Sequence, residues 1–542
     1  MLDLVLTNGR IFDGTGADPF DGDIGVKDGR IAAIGRLSEI ESAETIDASG
    51  LAVSPGFIDM HTHSDFTLLA DGRAESQVHQ GVTTEVVGQC GASCAPVKSH
   101  DVIPLVSPWY KEGCLRHRWR HFGEYLEALE ATDLGVNVMA FVGHGTVHRA
   151  VLGDALRAGD PDEIDEMCRL VEEALEQGAG GFSTGLEYWP GIMAAPEHIV
   201  PMCEVAKKYG RLYATHGRNR DTQYDLGFAE AIGTARQSGA RLQISHIQPK
   251  FGAPDFAMEH TLEMIEVARG HGVDIAFDVI PHDWNNTLVS AILPTWAREG
   301  GTDAVLDRLR DPTSREKIKA NPQPMWLIVK AGRWSDIVLL SATVNKDLIG
   351  VDFAEIGRMR GVDPYDAVLD LLIEEGDHML SAFWASRSFR DSDVELCLQQ
   401  PECAVISDTI ALASDGVLKE TVGSLSGYGW AARFLQYYVK DRNVISLPEG
   451  IRKITSIPAA RLGIKDRGLL RHGYRADLCV FDPAEIASHC NARNLRRYAT
   501  GIAHVLVNGQ MSMRDGKRTA VNAGEVLRAR SKSYRAISWS CP

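Results

Sequence analysis

The sequence is poor in basic residues, and it has neither paired cysteines nor a long apolar run. Its 542 residues include 56 Lys and Arg against 73 Asp and Glu, which gives a formal net charge of −17. This acidic balance argues against a nucleic-acid partner, whose binding face is usually basic, and against an anionic membrane surface. No apolar run approaches the ~20 residues that cross a bilayer, so a membrane-spanning segment is not expected.

The ten cysteines are scattered along the chain without a Cys-x-x-Cys pair. The first residues, MLDLVLTNGRIFDG, show neither the basic start nor the apolar stretch of a secretory signal. A disulfide framework is therefore not expected, and the sequence predicts a cytoplasmic protein. Composition leaves open whether a single cysteine carries out chemistry.

The two ends of the chain share a pattern of short strands and tight turns. Asn8-Gly9 and Asp28-Gly29 are hairpin signals near the start, and Asn508-Gly509 is a third near the end. The simplest packing joins both ends into one unit. We therefore predict a small β-sandwich domain built from residues 1–54 and 474–542.

The middle of the chain, residues 55–473, alternates short apolar runs with amphipathic helical stretches, which predicts a (β/α)8 TIM-like barrel. A long gap separates the last two predicted strands and must hold an inserted segment, which we place at about 284–350. The predicted barrel strands are Gly56–Met60, Thr83–Gly88, Asn137–Val142, Gly180–Ser183, Leu212–Thr215, Arg241–Ser245, Asp274–Val279 and Val405–Ala413.

The strongest local signal is a His-x-His pair, His61 and His63, at the end of the first barrel strand. Residues two apart on a strand point to the same side, so both imidazoles project together where barrel active sites lie. Imidazole is the commonest metal-ligating side chain. The pair therefore predicts a metal site, the alternative being two polar residues that simply leave a strand.

Three further strand ends carry candidate ligands, namely His216, His246 and Asp415. Each alone is better explained as a core histidine or a helix-capping aspartate. Together with the His-x-His pair they form a nitrogen and oxygen set on one face of the predicted barrel. Such a set suits a zinc-like metal.

The order of these residues resembles that of the metal-dependent amidohydrolase superfamily over nearly the whole chain. Within that superfamily the sequence is most similar to the D-aminoacylase (N-acyl-D-amino-acid deacylase) branch. The segments that carry this resemblance are GVTTEVVGQCG (81–91), FVGHGTVHRAVLG (141–153) and GFSTGLEY (181–188).

The resemblance implies a particular ligand set. Many binuclear members bridge two metals with a carboxylated lysine at the end of the fourth strand, where this chain has Gly181–Gly185 and no lysine. In the D-aminoacylase branch a cysteine, here Cys90, is expected as a ligand instead; without the resemblance an inert buried thiol would be the preferred interpretation. A tight zinc is then expected at Cys90, His216 and His246, and a weaker metal position at His61, His63 and Asp415.

Asp415 is also predicted to be the catalytic group, because an apolar run, Ile410–Ala413, leads into it and Gly416 follows, as in the family's Ser-Asp-Gly. It would take a proton from the attacking water and pass it to the leaving amine, as a general base turned general acid. Asp408 is the nearby alternative.

The resemblance points less specifically to substrate-binding residues. Tyr188 and Lys250 are candidates, as are His144 in a family motif and His282 after the seventh strand. A packing aromatic and a solvated loop lysine are the alternatives for the first two. Arg220 stands where the family tends to have an acid, and His282 where it has a tyrosine, so we expect an altered substrate pocket.

These features predict a zinc-dependent hydrolase of a C–N amide bond in a small molecule, with N-acyl-D-amino acids or related N-acyl amides as substrates. A cyclic amide, imide or aryl-amide hydrolase on the same scaffold is the alternative. A non-catalytic binding barrel is less consistent with the ligand set. The sequence leaves open the acyl group, the preference for D or L substrates, the number of metals and whether the protein forms a homo-oligomer.

Overall fold

The computed structural model describes residues 1–37, 39–98, 118–153, 155, 157–321 and 327–529. Residues 322–326 of the predicted insertion and residues 530–542 of the predicted β-sandwich domain lie outside the described residues.

The chain begins with five strands of one sheet. Asp28-Gly29 joins the second strand to the third with φ of 50° and 72°, as the hairpin signal predicts. Asn8-Gly9 does not turn the chain: Asn8 has φ of 58° within the first strand, where the register with the second strand shifts between Leu6 and Gly9. The signal therefore marks a bulge. The strands are β1 (Leu2–Ile11), β2 (Phe20–Lys27), β3 (Arg30–Gly35), β4 (Ser42–Asp47) and β5 (Ala52–Pro55).

The next strands pair in parallel, in chain order, and form seven of the eight staves, or strand positions, of a barrel. Strands β8 and β9 are two parts of the third stave, interrupted at Phe141. The strands are β6 (Phe57–Asp59), β7 (Val82–Val87), β8 (Asn137–Ala140), β9 (Val142–Gly143), β10 (Gly181–Gly185), β11 (Leu212–His216), β12 (Arg241–Ile244) and β13 (Ile275–Val279).

An inserted unit with its own antiparallel sheet follows the seventh stave. Its strands are β14 (Asn285–Leu288), β15 (Ile337–Ser341) and β16 (Phe383–Ser386), with β16 in the middle. The unit has a hydrophobic core of its own, which includes Phe353 and Trp384. Residue 350, where the sequence pattern ends the insertion, lies between two paired strands, because the β15–β16 pairing is a long-range contact that no local pattern reveals.

The eighth stave, β17 (Cys403–Val405), is shorter than predicted and lies further towards the N-terminus. The apolar run at Ile410 and Leu412 is not a strand; it packs against Tyr428 outside the barrel sheet. A parallel bridge between Thr62 and Thr409 joins the first stave to the eighth and closes the barrel. The (β/α)8 prediction is therefore confirmed, although the eighth strand is misplaced.

The chain returns to the first sheet at its C-terminal end. Strand β18 (Leu478–Phe481) pairs with β5, and β19 (Ile502–Val507), β20 (Gln510–Arg514) and β21 (Lys517–Arg518) follow in order. Both ends of the chain thus contribute to one nine-stranded sheet.

The helices follow from local signals. In the helix Pro161–Gln177, the Asp160 side chain accepts a hydrogen bond from the Glu163 amide, proline takes the first position, and Gly178 ends the helix at φ of 119°. No helix in the described part of the chain combines the length and apolar character needed to cross a membrane. Among the described residues, a π-helix spans Phe434–Asp441. The described α-helices of seven or more residues are Phe122–Glu130, His144–Leu152, Pro161–Gln177, Pro196–Lys208, Tyr224–Ser238, Ala257–Gly270, Gly301–Arg310, Pro312–Ala320, Phe353–Arg360, Pro364–Glu375, Asp391–Leu398, Leu447–Lys453 and Ser456–Leu462.

Candidate metal centre

Most of the predicted ligands converge at the carboxyl end of the barrel. His61, Cys90, His246 and Asp408 each place one donor atom within 4.8 Å of the donors of the other three. The Cys90 Sγ atom lies 3.2 Å from His61 Nε2 and 3.5 Å from His246 Nε2. His216 Nδ1 lies 3.7 Å from the same sulfur and 3.1 Å from His246 Nε2. The sulfur is therefore within 3.7 Å of three imidazoles.

The structure places Asp408, and not Asp415, among these histidines. Asp408 Oδ1 lies 3.1 Å from His63 Nε2 and 3.4 Å from His61 Nε2. The Asp415 side chain is 70% exposed and forms an ion pair of 2.7 Å with Arg73. The prediction for Asp415 is therefore wrong, because the eighth stave ends at Val405 and the apolar run that leads to Asp415 is not a strand.

The donor set fits a tetrahedral metal such as zinc. Bonds of about 2.0–2.1 Å to nitrogen and 2.3 Å to sulfur put neighbouring donors about 3.4–3.6 Å apart in a tetrahedron. The measured separations among Cys90, His216 and His246 are 3.5, 3.7 and 3.1 Å. They lie close to these values, so the three side chains can hold a metal after small shifts.

The protonation states of these groups also suit a metal. Burial lowers the pKa of His61 to about 3 and that of His216 to about 4, so both imidazoles are neutral and keep a lone pair. Burial raises the pKa of the Cys90 thiol well above its usual value, so a thiolate there needs a cation beside it. Burial also acts against the charge of Asp408, but its hydrogen bond to His63 and the nearby imidazoles hold its pKa below the usual range.

Three members of the cluster have a left-handed backbone. Cys90, His246 and Asp408 have φ of 51°, 34° and 50°, which is uncommon for residues other than glycine and costs about 1–3 kcal/mol each. Gly185, at the end of the fourth stave, makes room for this arrangement, since a Cβ there would lie 2.1 Å from the Cys90 carbonyl oxygen. The fourth stave therefore ends in a small residue where the Cys90 loop approaches.

A buried ion pair holds His216 from behind. Glu187 Oε2 lies 2.8 Å from His216 Nε2, and Lys250 Nζ donates to both Glu187 oxygens at 2.6 and 2.8 Å. Burial acts against the charge of Glu187, but Lys250 and His216 hold its pKa well below the usual range. With His216 Nε2 donating to this carboxylate, Nδ1 keeps its lone pair towards Cys90, an arrangement common around metal-binding histidines.

The candidate substrate-binding residues differ in whether they line the cavity. Tyr188 lines the cavity above the cluster, and its ring packs edge-on against His216 at 4.8 Å between centroids. Lys250 reaches the cavity but is held by Glu187. His144 and His282 are not among the residues that line it, and His282 is bonded to Asp283 at 3.0 Å.

Sequence reasoning missed Glu187 as a functional residue. Its position next to Tyr188, directly after the fourth stave, was an available signal. Sequence reasoning marked Arg220 only as a departure from the family, whereas the structure places it in the cavity wall beside His216 and His246.

The cavity has a volume of about 770 Å³ and two unlike walls. The barrel side carries the donor atoms of the cluster and most of the charged groups, while Arg298 and Glu299 lie on the other side. The inserted unit supplies the opposite side, where the apolar members are Leu288, Ala291, Leu293, Val305, Met379, Leu380 and Phe383.

Fold and site together define a barrel hydrolase that depends on a metal held at the strand ends. The model of the amidohydrolase family matches residues 44–237 and 407–513. The chain is 32% identical to a D-aminoacylase of Alcaligenes xylosoxydans xylosoxydans, over 97% of each chain, and 31% identical to an N-acyl-D-aspartate deacylase of the same organism, over 99% of this chain and 96% of that one. The chain belongs to the amidohydrolase family, and it is a hydrolase of non-peptide C–N bonds.

A solved structure matches the fold over its full length. It is an N-acyl-D-glutamate deacylase of Bordetella bronchiseptica, complexed with zinc and a phosphonate inhibitor that mimics the tetrahedral intermediate. The TM-score is 0.81 with 29% identity, and the match covers 97% of this chain and all of the other.

Proposed function

We propose that this protein is a zinc-dependent deacylase of N-acyl-D-amino acids or closely related N-acyl amides. The observation that carries the proposal is the cluster of one thiol, three imidazoles and one carboxylate around Cys90, at the strand ends of the barrel. The names of the two curated relatives and of the solved structure support an N-acylated D-amino acid as the substrate.

Cys90, His216 and His246 would hold the tight zinc. His61, His63 and Asp408 frame a second metal position on the other side of Cys90. When bound, zinc supplies a Lewis acid that activates both the amide carbonyl and water and stabilises negative charge on the carbonyl oxygen. The remaining chemistry falls to groups of the chain itself.

Asp408 has the position and the charge of the proton carrier. It is ionised at neutral pH and lies in the cavity beside His61 and His63. It takes one proton from the attacking water and delivers it to the leaving nitrogen as the C–N bond breaks, so that the products are a free carboxylic acid and an amine. Its own charge is the same at the start and the end of the cycle.

The remaining predictions concern the setting of the reaction. We propose a small-molecule substrate, no nucleic-acid partner and a cytoplasmic location, on the charge and composition described above. The oligomeric state stays open, a homo-oligomer included. The cyclic-amide alternative gains no observation of its own, and the fourth stave ends in Gly185 without the lysine that bridges metals in many binuclear relatives.

The test is an assay of the zinc-loaded protein on paired N-acetyl-D- and N-acetyl-L-amino acids, beside hydantoins and cyclic imides. We expect kcat/KM to favour the D isomers by at least about tenfold, or ~1.4 kcal/mol. Equal rates for both isomers, or turnover of the cyclic substrates alone, would contradict the proposal. Loss of the same activity in Asp408→Asn ties the activity to this site.

A further inference from the structure

Arg220 is a buried cation in the wall of the same cavity. Its exposed fraction is 4%, and it lines the cavity together with Cys90, His216 and His246. It follows the fifth stave by a few residues, at a position where the resembling family tends to have an acid. Burial is the main cause that lowers the pKa of His61, His216 and His246, and the nearby charge of Arg220 adds to it.

The contacts of Arg220 use only part of its guanidinium group. Nη1 donates to the carbonyl oxygen of His246 and lies 3.5 Å from that of Gln248. Nε is buried without a hydrogen-bond partner, and the Phe389 ring lies 5.9 Å from the guanidinium carbon. Among the described residues, Arg220 forms no ion pair with a carboxylate; Glu187 and Asp278 interact with its charge only at longer range.

The neighbouring cation differs in this respect. Lys250 is also buried, with a side chain 5% exposed, but both oxygens of Glu187 neutralise it. A buried charge without a counter-charge is costly, so a site that keeps one is suited to receive an anion from outside. Glu187 already neutralises the charge of Lys250 and takes two of its three N–H donors, whereas the Nε side of Arg220 has no hydrogen-bond partner.

We propose that Arg220 binds the carboxylate of the N-acyl amino acid, so that it selects acidic substrates over neutral amides of the same shape. This inference rests on the proposed function and names the group that recognises the amino-acid half of the substrate by its carboxylate. A guanidinium edge offers two parallel N–H donors to a carboxylate, and such charge-assisted bonds are the strong ones. Arg220 thereby takes the role that the sequence pattern offered to Lys250.

The test compares an N-acetyl-D-amino acid with its neutral carboxamide. For the wild type we expect kcat/KM to favour the acid by about 10- to 100-fold, the range of a charge-assisted hydrogen bond. In Arg220→Met the preference should fall to near unity, mainly through KM, with zinc content unchanged. Arg220→Lys should keep part of the preference, because the charge remains but the two parallel donors are lost.

Arg218→Met is the matched control. Arg218 lies two residues earlier, carries the same charge, and is paired with Glu230 at 3.0 Å outside the cavity. The acid preference should be unchanged in this variant. Arg149 and Arg298 also line the cavity. Because the Arg149 guanidinium already packs over the Trp189 ring at 4.3 Å, Arg298 is the arginine that could compete for the role, and Arg298→Met tests it.

Two results would overturn the inference while leaving the proposed function intact. One is an acid preference that Arg220→Met leaves unchanged, and the other is a preference that Arg298→Met abolishes instead. If Arg220→Met does not fold, the Lys variant decides, since an unchanged preference there contradicts two-point binding. A wild type that hydrolyses no N-acyl-D-amino acid would contradict the proposed function itself.

Discussion

The two walls of the cavity come from different parts of the chain and contribute different kinds of side chain. The barrel wall is made of strand ends and carries most of the charged groups of the cavity, of which Glu187 and Lys250 are paired with each other. The inserted wall belongs to a unit with its own core and mixes apolar side chains, such as Leu380 and Phe383, with polar and charged ones, such as Arg298. The comparison predicts that the metal chemistry and the binding of the carboxylate depend on the barrel wall, whereas the inserted wall affects which further groups of the substrate fit.

The largest expected effect lies on the barrel wall. Asp408→Asn keeps the size of the side chain but removes the proton acceptor, so we expect kcat to fall by about 10²- to 10⁴-fold. Steady-state kinetics on an N-acetyl-D-amino acid would measure this, with zinc content determined alongside. Near-normal kcat in a folded, zinc-loaded variant would remove Asp408 from the proposed chemistry.

A smaller effect is expected for Glu187, which contacts the candidate ligand His216 but is not a ligand itself. Glu187→Gln removes the charge that orients His216, and outer partners of this kind are worth about 10- to 100-fold in metal affinity. Zinc titration against a competing chelator measures the loss. Glu230→Gln is the control, because Glu230 pairs with Arg218 away from the donors and should leave zinc affinity unchanged.

The inserted wall should respond in selectivity and not in metal binding. Leu380 lines the cavity and is 41% exposed, so Leu380→Ser should cost little stability. We expect kcat/KM for substrates with large apolar groups to fall by about fivefold, which corresponds to ~1 kcal/mol of lost apolar contact. N-acetyl substrates with small side chains should change less.

Leu226→Ser is the control for the inserted wall. Leu226 is 63% exposed and is not among the residues lining the cavity. An equal loss of kcat/KM in both variants, or a loss of zinc in Leu380→Ser, would contradict the separate roles of the two walls.

The smallest effect is expected for Asp415→Asn. The side chain is 70% exposed and its contact with Arg73 is a surface ion pair, which is worth about 0–1 kcal/mol of stability. We expect kcat to change by less than about twofold. A loss comparable to that of Asp408→Asn would restore the sequence-based assignment.

The contrast between Asp408 and Asp415 shows which parts of the site a local sequence pattern can predict. The strand ends that carry the candidate ligands His61, His216 and His246 could be predicted, because an apolar run followed by histidine is a local signal. The eighth stave has only three residues, and the more apolar run after it belongs to a different packing layer. A pattern of hydrophobicity cannot distinguish a buried strand from a buried loop. The pattern therefore indicated Asp415 in place of Asp408.

Other parts of the site depend on contacts that are distant in sequence. Glu187 meets Lys250 across three neighbouring staves, and the order of the barrel strands brings them together. The end of the insertion is likewise decided by the pairing of β15 with β16. Neither feature has a local signature, whereas the eightfold alternation of strands and helices does, which is why the fold was predicted better than the site.

The central claim is that the Cys90 sulfur is a zinc ligand within this cluster. Metal analysis combined with zinc X-ray absorption on the wild type and on Cys90→Ser tests it most directly. We predict stoichiometric zinc with one sulfur neighbour at about 2.3 Å in the wild type, and loss of that neighbour in the variant. A zinc shell of nitrogen and oxygen alone in the wild type, or a protein that binds no zinc, would contradict the account.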